Sequence, residues 1–152
     1  MSAAVEKLQA QFPDEIVEIS EFRGDTTIII KPEKVVDICT LLRDDRATSF
    51  RYLSSVSAVD YLPASPRFAV VYHLYSHRYK NRVALKAFLE DDAYPSIHSV
   101  VPVWSTANWH ERECYDLMGI QFRGHPDLRR ILTPPECEGY FPLRKEIPVR
   151  GL

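Results

Sequence analysis

Glycine is scarce in this chain, with five residues in 152. The sequence contains no phosphate-cradling loop, no dinucleotide fingerprint and no Gly-x-Ser-x-Gly elbow, so a phosphate cofactor or an elbow-type serine nucleophile is not expected. Cysteine is equally sparse. Cys39, Cys114 and Cys137 are far apart and odd in number, which argues against a disulfide framework and for a reducing compartment. Iron–sulfur ligation wants closely spaced cysteines, usually about four, and zinc wants paired Cys or His at short spacing. His98, His110, His125, Cys114 and Cys137 offer neither pattern, and His110-Glu111 lacks the second histidine of a His-Glu-x-x-His site. Long apolar runs are missing too. The best, residues 68–75, carries His73 and falls well short of the ~20 residues that span a bilayer. The N-terminus does not read as a signal peptide. No charge sign dominates: 19 Lys and Arg stand against 21 Asp and Glu, so a nucleic acid is not the expected partner.

What remains is a chain of one-domain size with ordinary composition, 45% hydrophobic and 26% charged. Val5, Leu8 and Phe12 lie at helical spacing before Pro13. Residues 16–22 and 26–31 are rich in β-branched side chains, and Gly24-Asp25 between them predicts a hairpin. Pro32 suits the first position of a helix that buries Val35, Ile38, Cys39 and Leu42 and ends near Asp44-Asp45. Residues 53–61 predict a strand. Phe68, Val70, Tyr72 and Leu74 alternate along another, whose second face of Ala69, Val71, His73 and Tyr75 is apolar enough to predict a central strand covered on both sides. Val83, Leu85, Ala87 and Leu89 form a third alternating set. A helix is expected from about Thr106 to Met118, closed by Gly119 with Ile120 behind it. The fold class is α+β: a mixed or antiparallel sheet with helices packed on it over residues 1–120, then an extended, proline-rich arm over residues 121–152.

The candidate functional residues cluster in the last third. On the charged helix, Arg112 and Asp116 share a face, Glu113 neighbours both Trp109 and Asp116, and Glu111 shares another face with Cys114 and Tyr115. This pattern fits a solvated ion-pair lattice, but Trp109 and Tyr115 among the charges have the composition of interface anchors. Glu113 and Asp116 could converge as a carboxylate pair, and Cys114 could act as a nucleophile. Neither has a lid, base or helix N-terminus to activate it. The arm carries six basic and four acidic residues from Gly119 onward, too even for a nucleic-acid strip. With its many apolar residues it either folds back on its own domain or lies along a partner, its arginines making bidentate contacts.

Three motifs then carry a resemblance. Glu111-Arg112-Glu113, Tyr115-Asp116, Leu117-Met118 and Gly119-Ile120 form the first. Gly124-His125-Pro126, Leu128 and Arg130-Ile131-Leu132 form the second, and Pro142-Leu143-Arg144-Lys145 with Pro148 the third. Together with Ala58-Val59-Asp60-Tyr61 and Tyr72-His73-Leu74, the chain resembles the C-subunit family of the proton-pumping NADH:quinone oxidoreductase, respiratory complex I. The family includes mitochondrial and chloroplast-type counterparts (the J subunit in the latter). Glu146-Ile147 departs from the usual Asp-Phe, and Tyr140-Phe141 from the usual spacing.

The resemblance implies a structural subunit of the hydrophilic arm without a catalytic site, flavin, iron–sulfur cluster, quinone or metal of its own. Those groups would sit on partner subunits. It implies a place on the cytoplasmic face of the membrane, reached only through partners, and a bracing contact with the subunit that forms the quinone chamber. The expected interface residues are Trp109, Glu111, Arg112, Glu113, Tyr115, Asp116, His125, Arg129, Arg130, Leu143, Arg144 and Lys145. An equivalent subunit of a membrane-bound hydrogenase or a ferredoxin-fed quinone reductase is the alternative, and a stand-alone enzyme using Cys114 or Glu113 and Asp116 a more distant one.

Overall fold

The computed structural model describes residues 2–149. Helix α1 (Ala3–Gln11) is capped by Ser2, whose side chain accepts from the Val5 N–H, and it buries Ala4, Val5 and Leu8. Pro13 ends it in a single 3₁₀ turn. Strands β1 (Ile16–Phe22) and β2 (Asp25–Ile30) form the expected hairpin. Its turn is Arg23-Gly24, at φ 52° and 84°, not Gly24-Asp25. Two consecutive positive φ values are the type I′ geometry that matches strand twist, and glycine at the second position relieves the strain.

Pro32 starts a short 3₁₀ turn, and α2 (Val35–Asp44) follows it, burying the four residues expected of it. Strands β3 (Tyr52–Asp60), β4 (Phe68–Ser76) and β5 (Asn81–Phe88) form a meander. The sheet order is β1-β2-β5-β4-β3, with β2 and β5 parallel and every other pair antiparallel. The sheet is therefore mixed, and its middle strand is β5 rather than β4.

One face of the sheet carries the core. Ile28, Ile30, Phe68, Val70, Tyr72, Leu74, Leu85 and Ala87 are almost fully buried there against residues from all three helices. Such apolar burial contributes roughly 1.5–3 kcal/mol for each large side chain. The other face holds no helix. Ala69 is fully buried on it, Val71 and Tyr75 are half-buried and His73 is exposed, so the expected cover on both sides of the strand is found on this face only at its Ala69 end. Apolar residues on both faces of β4 do not by themselves require two covering layers, because half-exposed Val and Tyr are common on open sheets.

After β5 the chain makes a second, smaller sheet. Strand β6 (Ser96–His98) pairs in parallel with β7 (Gln121–Arg123), and α3 (Ala107–Met118) is the crossover between them. Gly119 closes α3 in the left-handed conformation at φ 75°, as its position predicts. The start of the expected arm is thus a strand of the body: Phe122 is buried and Leu128 packs on the core. The segment leaves the helix as a paired strand because Ile120 and Phe122 have apolar partners to reach.

An internal latch on α3 and an exposed apolar rim

Helix α3 packs against β3 through a face that includes Ala107, Glu111 and Cys114. Cys114 Sγ reaches the Val56 carbonyl at 3.7 Å, and burial, with Glu113 and Glu111 adding to it, pushes the thiol up to about 12. It stays protonated at neutral pH and lacks the electropositive setting of a nucleophile.

Glu111 is fully buried. Its carboxylate accepts the Ser99 hydroxyl at 2.6 Å and the Val100 N–H at 2.7 Å. Burial outweighs both bonds and lifts its pKa from 4.5 to about 7. A basic side chain, His125, comes within 4.0 Å of the carboxylate at Nε2 and is also fully buried. The His125 ring accepts the Asp127 N–H at Nδ1 (3.0 Å) and lies 3.0 Å from the Asn108 carbonyl at Nε2. An accepting Nδ1 requires the neutral tautomer with its proton on Nε2, donated to Asn108. The couple ties the turn after β7 to the first turn of α3.

Asp116 is also fully buried. It gathers the N–H groups of Ile131, Leu132 and Thr133 at 3.1, 2.7 and 2.9 Å, the Thr133 hydroxyl, and Arg130 Nη1 at 2.9 Å. Burial alone would raise its pKa, but Thr133 and these backbone donors hold it well below the carboxylate range. Arg130 continues to the Tyr140 carbonyl at 3.1 Å. Arg112 clamps the same loop from one turn back, donating to the carbonyls of Arg129 and Arg130 at 3.1 and 2.9 Å. Residues 129–133 are therefore shaped by two side chains of α3 spaced four apart.

The third motif closes the end of the helix. Leu143 N–H donates to the Leu117 carbonyl at 3.1 Å, and Arg144 Nε to the Met118 carbonyl at 2.8 Å. A cation at a helix C-terminus meets the negative end of its dipole. The Arg144 guanidinium also lies 5.0 Å from the Phe68 ring centre and 4.6 Å from that of Phe141. Gly119 is needed for this approach, since a Cβ there would sit 2.6 Å from Arg144 Nη2 and 2.8 Å from Phe141. Lys145 N–H donates to Asp60 Oδ2 at 2.8 Å, and Asp60 pairs bidentately with Arg67 at 2.8 Å on each oxygen. Arg67, with the Lys145 and Leu62 N–H groups, holds the Asp60 carboxyl far below its ordinary range against the opposing effect of burial.

These contacts sort the expected interface residues. Glu111 and Asp116 are fully buried within this chain and present no surface of their own. Backbone donors compensate the buried charge of Asp116, whereas Glu111 has one backbone donor and one hydroxyl. The His125 ring is internal as well. Arg112, Arg130 and Arg144 are part-buried and bind the chain's own carbonyls, and Tyr115 is half-buried. Trp109 is 70% exposed and Leu143 57%. Glu113, Arg129 and Lys145 are exposed too, although Arg129 pairs with Asp127 at 2.8 Å and Lys145 Nζ reaches the Leu62 carbonyl at 3.2 Å. Leu132, displayed at the tip that Asp116 organises, is 63% exposed and Ile131 39%. Sequence reading placed Ile131 and Leu132 in a motif but not among the interface residues, and it missed Ser99 and the Asp60–Arg67 pair as parts of this region. Asp60 was visible within a motif, but nothing local marked it as the anchor of Lys145. Among the described residues, no group of three or more His, Cys, Asp or Glu is placed to hold a metal ion.

Residues 28–152 match the family described as respiratory-chain NADH dehydrogenase, 30 Kd subunit. The chain belongs to this family. It is 50% identical over 149 residues to the C subunit of NADH-quinone oxidoreductase from Geobacter sulfurreducens, covering 97% of this chain and 90% of that one. It is 45% identical over 148 residues to the corresponding C subunit from Roseiflexus sp. strain RS-1, covering 97% and 84%. Among solved structures, the trypsin-resistant fragment (1-134) of Nqo5 superposes with a TM-score of 0.66 at 30% identity, over 82% of this chain and 99% of that one. The likeness places the mixed sheet and its helices within this family of complex I subunits. No described helix is long and apolar enough to cross a membrane.

Proposed function

We propose that this chain is a structural, non-catalytic subunit of the hydrophilic arm of a proton-translocating NADH:quinone oxidoreductase. It braces the quinone-chamber subunit on the cytoplasmic side of the membrane, and flavin, iron–sulfur clusters and quinone sit on its partners. The observation that carries this reading is the division of labour around α3. The polar side chains of the three motifs are largely engaged in holding the chain's own segments, whereas Trp109, Leu132 and Leu143 are large, apolar and mostly exposed. Exposed aromatic and aliphatic side chains on a rigid support are the composition of interface anchors. Electron transfer depends steeply on distance and orientation, so a subunit that fixes its neighbours' geometry serves turnover without chemistry of its own.

The test is affinity purification of the tagged chain from solubilised membranes, with mass identification of what accompanies it. Redox subunits of an NADH:quinone oxidoreductase are the expected companions. Recovery of the chain alone, or with a bound prosthetic group, would contradict the proposal.

A further inference from the structure

Charge is segregated along the chain in a way its overall balance conceals. Between residues 46 and 89 the sole acid is Asp60, against seven Lys and Arg. Three of those cations have partners: Arg67 with Asp60, Arg82 with Asp25, and Lys86 with the Tyr61 hydroxyl. The other four are Arg46, Arg51, Arg78 and Lys80. Among the described residues they make no ion pair, and all four are exposed. They meet at one end of the sheet, where β3 begins and the β4–β5 turn closes. The Tyr79 hydroxyl ties that turn to the loop after α2 by donating to the Arg46 carbonyl at 2.6 Å. Arg51 stands between two open cavities of about 430 and 340 Å³. The nearby acid Asp44 is already held bidentately by Arg43 at 2.7 and 2.8 Å.

Aromatic side chains interleave with these charges. Tyr52 is 49% exposed and Tyr79 44%, His77 packs edge-on against Tyr52 at 5.4 Å, and the Arg78 guanidinium lies over the Tyr79 ring at 5.5 Å. Arginine beside half-exposed tyrosine is the composition of a protein-binding patch.

We infer that this basic end of the sheet, centred on Arg51 and Arg78, docks an acidic segment of a neighbouring subunit. This rests on the assembly reading above. The guanidinium forks suit side-chain carboxylates, which they bind bidentately. A polyanion such as nucleic acid fits less well, because the chain's net charge is −2 and β1 together with the 3₁₀ turn before it carries Asp14, Glu15, Glu18 and Glu21. A lipid surface fits less well too, because membrane-surface sites use a lysine-rich amphipathic helix with inserted apolar residues, and this patch is built from strand ends and loops.

The experiment uses the full chain and a fluorescein-labelled decapeptide of alternating Glu and Asp, followed by anisotropy at rising salt. The wild type is expected to bind with strong salt dependence. Arg51→Glu with Arg78→Glu should weaken binding by about tenfold or more, whereas Lys31→Glu with Lys34→Glu, exposed beyond the opposite end of β2, should leave it unchanged. Arg51→Gln with Arg78→Gln repeats the test should the charge reversal unfold the chain. No binding, or equal binding by all variants, overturns the inference. So does displacement of the peptide by phosphatidylglycerol vesicles that bind more tightly, which would make the patch a lipid site. If redox subunits still accompany the tagged chain, such a failure removes this docking site and leaves the assembly reading standing.

Discussion

Glu111 makes the clearest energetic prediction. Its pKa rises from 4.5 to about 7 because a buried carboxylate is compensated only by a hydroxyl and one N–H. At roughly 1.4 kcal/mol for each pH unit, that interval corresponds to about 3 kcal/mol. The folded chain holds this proton more tightly than the unfolded chain does. The associated stability is therefore fully present below the unfolded value near 4.5 and is lost as pH rises through the folded value near neutrality. Glu111→Gln keeps the shape and both polar atoms but cannot ionise. Urea unfolding of both proteins between pH 4 and 8 isolates the effect, since all other titrations cancel in the difference. The wild type should lose about 3 kcal/mol relative to the variant across that range. Parallel pH profiles for the two proteins would show that burial does not hold the proton on Glu111.

Asp116 should behave with the opposite sign. Its pKa is depressed, so its contribution is present above the ordinary value of 3.8 and lost as pH falls below it. Asp116→Ala, which strands three N–H groups and Arg130, should cost about 3–5 kcal/mol by urea unfolding and expose Arg129 and Arg130 to faster tryptic cleavage. Gly119→Ala forces a side chain into a left-handed backbone against Arg144 and should lower stability by about 1–3 kcal/mol, read as a shift in the thermal midpoint. Imidazole ¹⁵N shifts of His125 should report a proton on Nε2 and none on Nδ1, as its two hydrogen bonds require. Arg144→Ala should impair assembly by loosening the chain itself, seen as a lower melting temperature of the isolated subunit.

Much of this fold was legible because its signals are local. The faces of α2 and β4 follow from period alone, and Gly119 at the end of α3 is set by the left-handed geometry that glycine tolerates. The β6–β7 ladder was not legible. Two three-residue strands joined through a helix carry no measurable period, and their pairing depends on contacts some 25 residues apart. The hairpin turn was misplaced by one residue because arginine at positive φ has no sequence signature, whereas the glycine beside it does.

The site was legible as a set of motifs but not as a mechanism. Glu111, Arg112 and Asp116 read as surface charge, since carboxylates are seldom fully buried unless paired. Their true partners are backbone N–H and C=O groups of residues 99–100 and 129–133, which are silent in any sequence. The exposed residues told the opposite story: Trp109 was conspicuous, while Leu132 became so only once Asp116 was seen to turn it outward.

In the proposed function the motifs hold the chain together internally and the exposed apolar side chains Trp109 and Leu132 engage the partner. Trp109→Ala with Leu132→Ser separates these two roles in one variant, read by recovery of redox subunits with the tagged chain from solubilised membranes. An unchanged melting temperature and a several-fold drop in recovered partners are expected. Full recovery of the partners by a stable, well-folded variant would contradict this division between latch and rim.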